Sequence, residues 1–418
     1  MTNPAKPTPG PGQLLDRADV RVKHDTSFGG LIRTFINRIR SGDLGSLPVV
    51  VGLVIIWSVF TTLNPIFLSP NNLVNLLFDS STTGVISLGI VCILMVGEID
   101  LSVGSVSGFA SAIVGVLWVN QGWPLALAIF AAVLTGGLIG WLYATLFNRL
   151  GMPSFVSTLA GLLAVLGMQL YILPHGSINL PYGSAIVDFG QTMVMPHIVA
   201  YTFALIPGAV ILYTGARTIA RRRSANLSTQ SVGNLLLVAA ALTIVLELIA
   251  LYLNQDRGVP WMFGLFAGLV ILMNYALTRT KWGRSMAAVG GNREAARRSG
   301  INVKGIYNSA FILCAMFAAF GGVLSAARLA SASQQAGTGD VNLNAIAAAV
   351  IGGTSLFGGR GSFYSALLGI IVIQSISSGL TLLDLSSSLR YMITGAVLAI
   401  AVIVDSLARQ SRVSHGRA

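Results

Sequence analysis

Long apolar runs separated by short polar segments fill the chain from residue 47 to residue 408. A helix needs about 20 apolar residues to cross a bilayer, so we predict about twelve crossings, the tenth being short enough to be re-entrant instead. The pattern predicts an all-α polytopic membrane protein with about 10–12 transmembrane helices, some of them broken or re-entrant. The runs are 47–63, 82–97, 101–119, 124–148, 154–173, 196–214, 232–253, 261–278, 305–328, 345–357, 362–382 and 390–408.

The two ends of the chain lack such runs. Residues 1–26 are rich in Pro, Gly and charge and contain no apolar core of a signal peptide, so we expect a disordered tail. Within 27–42, apolar residues recur at helical spacing from Phe28 to Ile39 while arginines occupy the other face, which predicts an amphipathic interfacial helix. Residues 409–418 form a second short tail.

Charges are few and unevenly distributed. Charged residues make up 10% of the chain, where a soluble domain has roughly 25%. If the amino terminus lies in the cytoplasm, every Lys and Arg except Arg257, Arg328, Arg360 and Arg390 falls in a segment on that side. This is the positive-inside pattern, and it predicts that both termini are cytoplasmic. The net charge of +12 then reflects topology and anionic membrane lipid, and does not indicate nucleic acid.

The loop at 279–304 is polar and basic and lies between two apolar runs. Gly290 and Gly291 interrupt the chain, Asn292 is a favourable N-cap, and Gly300 suits the left-handed position that ends a helix. We predict a helix of about two turns, which is too short to be stable in water without a surface to lie on. The alternative is an ordinary basic loop.

Two carboxylates, Glu98 and Asp100, lie at the junction of the second and third runs. A carboxylate at bilayer depth costs on the order of 3 kcal/mol, so it usually faces a cavity or a partner. Gly97 and Gly104 allow close backbone approach or a break in a helix that lines a pathway. The alternative is a tight cytoplasmic turn with a capping aspartate and a solvated glutamate.

A second glycine-rich junction, Gly352 to Ser362, resembles the first. Gly97, Leu101, Gly104 and Ser107 align with Gly352, Leu356, Gly359 and Ser362. If this is an internal repeat, the two junctions would face each other near the middle of the membrane, as paired broken helices do in many transporters. Chance similarity of two glycine-rich turns is the alternative.

Several functions have no motif in the chain. No lysine follows a glycine-rich turn, so there is no P-loop and we predict no ATP hydrolysis by this chain. The histidines lack metal-ligand spacing, and we predict neither a metal site nor catalytic residues.

Glu247 lies alone within the 232–253 run. The polar connections Asn64–Ser81, Leu173–Met195 and Ala330–Asn344 are expected to form an external docking surface.

Four segments together resemble the permeases of bacterial monosaccharide ABC importers, the ribose, galactose and xylose family, with the xylose type closest. They are Gly97–Gly104, Met152–Gly161, Gly290–Val303 and Val350–Leu356, and Glu294-Ala295-Ala296 followed by Gly300 resembles the EAA signature of importers. The extra pair of runs around Arg221–Arg223 favours the xylose type. The Ile-x-Leu-Pro that follows the signature in many importers is missing here.

The resemblance implies a type II importer-like permease in the bacterial inner membrane. Implied partners are a second permease copy, an ATPase subunit that uses ATP and Mg, a soluble sugar-binding protein and membrane lipid. Carried onto this chain, the ATPase-coupling helix comprises Asn292, Arg293, Glu294, Ala295, Ala296, Arg297, Arg298 and Gly300. The translocation pathway includes Gly97, Glu98, Asp100, Ser102, Gly104, Gly352, Gly353, Thr354 and Ser355.

The resemblance predicts monosaccharide import by alternating access driven by the partner ATPase. One rival is an ion-coupled secondary transporter that uses Glu98, Asp100 and Glu247. A second rival is a membrane enzyme, for instance one that handles lipid-linked sugars. The sugar itself, and whether the two permease copies are identical, stay open.

Overall fold

The computed structural model describes most of the predicted membrane domain. The described residues are 47–174, 176–229, 231–386, 388–389, 391–396, 399 and 403. The predicted tails at 1–26 and 409–418 and the predicted interfacial helix at 27–42 lie outside the described residues.

Helices make up nearly all of the regular structure. They are α1 (Leu47–Leu63), α2 (Pro70–Met95), α3 (Val103–Val114), α4 (Leu125–Leu150), α5 (Ser154–Ile172), α6 (Ala185–Gln191), α7 (His197–Ser224), α8 (Val232–Leu253), α9 (Trp261–Arg279), α10 (Lys281–Gly291), α11 (Arg293–Arg298), α12 (Val303–Leu329), α13 (Val341–Ile351) and α14 (Phe363–Leu382). A π-helical turn, Gly115–Asn120, continues α3. Two short strands, β1 (Ser177–Asn179) and β2 (Ser331–Ser333), pair antiparallel.

The predicted spans correspond to these helices. Among the described residues, nine helices are long and apolar enough to cross a membrane, and two shorter apolar helices, Val49–Leu63 and Val341–Ile351, accompany them. The helical residues 391–396 fall in the last predicted span. The prediction of an all-α polytopic membrane protein is therefore confirmed.

Nearly half of α2, at its amino-terminal end, was not predicted as helix. α2 begins at Pro70 rather than at residue 82, so most of the segment Asn64–Ser81 is helical and is not an external connection. Ser69 caps this helix, and Pro70 suits its first turn. Asp79, on the polar part of α2, pairs with Arg328 of α12 at 2.8 Å.

The chain divides into two compact units. The described part of the smaller unit, 196–229 and 231–258, contains α7 and α8, between which Gly208 packs against the side chain of Thr243. α7 continues to Ser224, past its predicted end at residue 214. Glu247 lies half-buried in α8. The larger unit contains the described residues of 45–195 and 259–410.

Glycines bring the central helices of the larger unit into backbone contact. Gly89 of α2 lies against the backbone of Cys314, in the middle of α12. Gly322 of α12 lies against the carbonyl group of Ser107 in α3. Small residues allow this approach between membrane helices, which associate by close packing because lipid offers no hydrophobic driving force between them.

Two helices, α3 and α13, begin inside the larger unit, and we call their first turns the interior helix starts. Residues 98–102 lead into α3 and residues 334–340 lead into α13, both without helical structure. α13 has 11 residues, about 16 Å of helix, which is roughly half of a hydrocarbon layer of about 30 Å. The prediction of broken helices is confirmed.

The chain that leads into α13 runs antiparallel to α3. Going along this chain, Ala332 packs against Gly115, Ala336 against Gly108 and Gly337 against Gly104. The Asn342 side chain then donates a hydrogen bond to the carbonyl oxygen of Leu101. The two interior helix starts therefore meet, and much of the segment Ala330–Asn344 is packed against α3 rather than forming an external surface.

One side chain donates hydrogen bonds to several backbone carbonyl groups of this chain. Gln169 of α5 is fully buried. Its Nε2 donates to the carbonyl oxygens of Ser333 at 2.9 Å and Ala336 at 3.0 Å. These bonds replace those that a helix would have made within itself, and without them the carbonyl groups would be costly to bury.

We predict that Gly322→Leu lowers the thermal midpoint of the detergent-solubilised protein. A side chain there would overlap the Ser107 carbonyl group, and overpacking typically costs about 1–3 kcal/mol. The matched control is Gly167→Leu in α5, where a Cβ meets nothing within 4 Å. The measurement is the loss of the monodisperse gel-filtration peak on heating. Equal losses in both variants would contradict the packing argument.

Candidate coupling helix and transport pathway

α11 is a short, capped helix in the basic loop. Asn292 begins it, and its Oδ1 accepts a hydrogen bond from the Ala295 N–H at 2.9 Å. Gly300 ends it in the left-handed region with φ of 80°, while the Ile301 N–H donates to the Ala296 carbonyl at 3.1 Å. Ala296 is buried, so this is the side on which the helix rests. The predicted capped helix is present, and its role in binding an ATPase stays a prediction.

The outer side of α11 carries a fixed set of charges. Glu294 accepts hydrogen bonds from Arg297 at 2.9 Å and from Arg298 at 3.1 Å. These two bonds, that from Arg297 first, lower the pKa of the Glu294 carboxyl. Exposed ion pairs add little to stability, so we interpret this triad as a charge pattern offered to a partner.

Arg293 points the other way, into the larger unit. Its guanidinium lies 5.3 Å from the centroid of the Tyr307 ring and 5.8 Å from that of Phe147, within the range of cation–π attraction. Burial raises the pKa of the Glu98 carboxyl, and hydrogen bonding from Ser154 and the positive charge of Arg293 oppose that shift. Arg293 thus connects α11 with the non-helical segment that leads into α3.

Three glycine turns meet at the end of α2. The Gly359 N–H donates to the Met95 carbonyl at 2.9 Å, and Gly290 of α10 lies against the same carbonyl group. A Cβ at Gly358 would lie 2.9 Å from the backbone of Gly97. The two glycine-rich junctions therefore do meet, and they meet next to Gly290 of the basic loop. The repeat hypothesis had the two junctions face each other near the middle of the membrane, and that depth stays a prediction.

Asp100 is sealed inside the larger unit. It is fully buried, and its Oδ1 accepts bonds from the Ser102 N–H and hydroxyl, both at 2.7 Å. The side chains of Cys314 and Tyr143 lie close by. Asp100 therefore bonds to the residue just before α3, as the alternative of a capping aspartate expects, and its role in a pathway stays a prediction. Gly104, the next predicted pathway residue, packs against Gly337.

The predicted pathway residues of the second junction lie against α14. Gly352 packs on the backbone of Ser365. Thr354 is buried, and its Oγ1 has no hydrogen-bond partner among the described residues. The Ser355 hydroxyl accepts a bond from the Phe357 N–H at 3.2 Å. The structure thus brings Phe357 and Gly358, not Gly352 to Ser355, next to Gly97.

Some contacts of this region could not be predicted from local sequence. Of the two rings around Arg293, that of Tyr307 lies in the next helix, α12, but that of Phe147 lies in α4, far along the chain. Asn342, which joins the interior helix starts, lies in a segment that we interpreted as external. The sequence does show that Asn342 is a polar residue close to an apolar run, which indicates that its side chain needs a hydrogen-bond partner. It does not show that this partner is Leu101.

Comparison with known proteins identifies the family. The family model described as branched-chain amino acid transport system / permease component matches residues 72–402. The chain belongs to this permease family. The Escherichia coli K12 xylose transport system permease protein XylH is 34% identical over 396 residues, covering 94% of this chain and 98% of that protein.

Other relatives agree with this assignment. XylH of Haemophilus influenzae is 32% identical, covering 88% of this chain and 98% of that protein. The ribose import permease protein RbsC of Escherichia coli K12 is 28% identical, covering 85% of this chain and 92% of that protein. No solved structure matched the chain. The resemblance to xylose-type permeases is confirmed.

We predict that Arg293→Met and Glu98→Gln affect stability in a coupled way. The positive charge of Arg293 opposes the rise in the pKa of the Glu98 carboxyl, so the loss in the double variant should differ from the sum of the single losses by about 0.5 kcal/mol. The measurement is thermal unfolding of all four proteins in one detergent. Arg297→Met combined with Glu98→Gln is the control, because Arg297 bonds to Glu294 on the outer side. Additive losses in both cycles would show that Arg293 does not act on Glu98.

Proposed function

We propose that this chain is the membrane-spanning subunit of an ATP-driven importer of a neutral monosaccharide, with xylose the first candidate. The observation that carries the proposal is the near full-length similarity to XylH, at 34% identity over 94% of the chain. Similarity over that length includes both interior helix starts and α11, the parts of a permease that a sugar and an ATPase would have to contact.

A neutral solute suits the interior of the larger unit better than an amino acid does. Residues 99–148 and 329–359, which include both interior helix starts, contain no Lys or Arg. An amino acid would present a carboxylate to this region, and a buried anion without a cationic partner is costly. A sugar presents only hydroxyl groups, which serine, asparagine and glutamine side chains can satisfy.

The proposed assembly contains two copies of this chain, an ATPase subunit and a soluble sugar-binding protein in a bacterial inner membrane. ATP and Mg would be used by the ATPase, because this chain has no P-loop lysine. Both termini and α11 would lie in the cytoplasm, where the outer charges of α11 meet the ATPase. The binding protein would dock on the opposite side of the membrane.

In the proposed cycle, ATP binding draws the two copies of α11 together. Gly290 packs against the Met95 carbonyl group at the end of α2, and the positive charge of Arg293 acts on Glu98, so a movement of α10 and α11 would displace the chain that leads into α3. Because α3 and α13 meet at their starts, this displacement changes the packing between them. ATP needs only to favour one of two packings by a few kcal/mol to open the pathway alternately to each side.

We predict that Glu294→Arg abolishes ATP-dependent xylose uptake. The substitution replaces the only acceptor in the triad with a third cation, so Arg297 and Arg298 lose their ordered positions. The assay is uptake into proteoliposomes that contain this chain with its candidate ATPase and binding protein. Asp256→Arg, the same charge change at an exposed carboxylate of the smaller unit, should keep uptake.

The remaining outcomes separate the rival functions. Uptake by this chain alone under an ion gradient would contradict the proposal of an ATP-driven importer. It would favour an ion-coupled transporter that uses Glu98, Asp100 and Glu247. Product formed from a lipid-linked sugar by this chain alone would indicate an enzyme. ATP-dependent uptake of leucine but not of xylose would keep the importer and replace its substrate.

A further inference from the structure

A small polar cavity lies at the start of α13. It has a volume of about 130 Å³, and we call it the Asp340 pocket. Its polar lining consists of Asp340, Asn344, Ser377, Tyr391 and Thr394. Ile373 and Leu380 of α14 supply an apolar wall. The pocket is smaller than the roughly 300–1,000 Å³ of sites for drug-sized ligands, so a single small solute is the occupant to consider.

The pocket lies beside the interior helix starts. Asp340 directly precedes α13, and Asn342 bonds to Leu101, just before α3. Ile373, Ser377 and Leu380 line the pocket from the second half of α14, a helix long enough to cross the membrane. Polar side chains at such a position are expensive in lipid and usually line a cavity or a pathway. The starts of broken helices are also where transporters commonly place their solutes.

The lining retains hydrogen-bonding capacity. Asp340 makes no side-chain cap bond to α13, and one of its oxygens accepts from the Asn344 Nδ2 at 3.0 Å. The Asn344 Oδ1 is buried and has no hydrogen-bond partner among the described residues. The pocket thus offers acceptors from a carboxylate and an amide, together with the hydroxyl groups of Tyr391 and Thr394.

We propose that the Asp340 pocket is a transient contact site for the monosaccharide in the translocation pathway, which rests on the proposed function. Sugar hydroxyl groups would donate to the Asp340 carboxylate, forming charge-assisted bonds that are stronger than neutral ones. They would accept from the hydroxyl groups of Tyr391 and Thr394. Ile373 and Leu380 would contact the C–H groups of the sugar ring. The carboxylate disfavours anionic solutes.

Cysteine accessibility tests this proposal directly. The sequence contains two cysteines, Cys92 and Cys314, and both are fully buried, so a cysteine introduced at Ser377 supplies an accessible thiol without removing either. The measurement is the rate at which a small polar thiosulfonate modifies Ser377→Cys in the reconstituted transporter, with and without D-xylose. We expect D-xylose to slow the modification.

The neighbouring residue provides the matched control. The Ser378 hydroxyl donates to the Asn72 side chain at 3.0 Å and does not line the pocket, so D-xylose should leave the modification rate of Ser378→Cys unchanged. Equal slowing at both positions, or slowing at neither, in a complex that transports xylose would contradict sugar contact in the Asp340 pocket. It would not contradict the proposed importer function. A wild-type complex that transports no sugar would instead overturn the proposed function.

A second variant separates solute contact from folding. Asp340→Asn keeps the shape and the bond to Asn344 but removes the charge, so we expect xylose uptake per ATP hydrolysed to fall about tenfold. ATP hydrolysis stimulated by the binding protein should persist, because Asp340 lies outside α11 and its contacts. Unchanged uptake per ATP in this variant would contradict the role of the carboxylate.

Discussion

The need to satisfy buried backbone groups organises this protein. Residues 98–102 and 334–340 have no helix of their own to absorb their N–H and carbonyl groups, and a lipid-facing position would leave these groups unpaired. Other elements supply the partners: Gln169 bonds to the chain after β2, Thr158 accepts from the Leu101 N–H, and Asn342 donates to the Leu101 carbonyl. The central position of α3 follows from this requirement, because only an interior site offers partners on every side.

The same requirement connects the basic loop that carries α11 with the interior helix starts. In a broken helix, one helical half can move while the other stays in place. The condition is that the non-helical residues between the two halves keep their hydrogen bonds. Met95 at the end of α2 packs against Gly290 of α10, and Leu101 accepts a hydrogen bond from Asn342 at the interior helix starts. The segment from Met95 to Ser102 therefore connects the basic loop with the place where α3 meets α13.

Local sequence was sufficient where local contacts decide the structure. The cap at Asn292 and the left-handed Gly300 define α11 through bonds within a few residues, and both were predicted. Long apolar runs likewise predicted the spans. Sequence was insufficient where a polar segment finds its partner far along the chain. The start of α2 is polar and was interpreted as an external connection, yet Asp79 pairs with Arg328.

In the candidate site, too, sequence predicted some features and not others. Glu98 and Asp100 could be selected from sequence because carboxylates between apolar runs are rare, but sequence could not distinguish a sealed acid from an accessible one. Asp100 is closed in by Ser102, whereas Asp340, which precedes the other interior helix start, opens on a cavity. Both acids precede helix starts that meet inside the larger unit. In this packing only the acid that is not enclosed, Asp340, can exchange hydrogen bonds with a solute, so burial, rather than residue type or position beside a helix start, distinguishes the two.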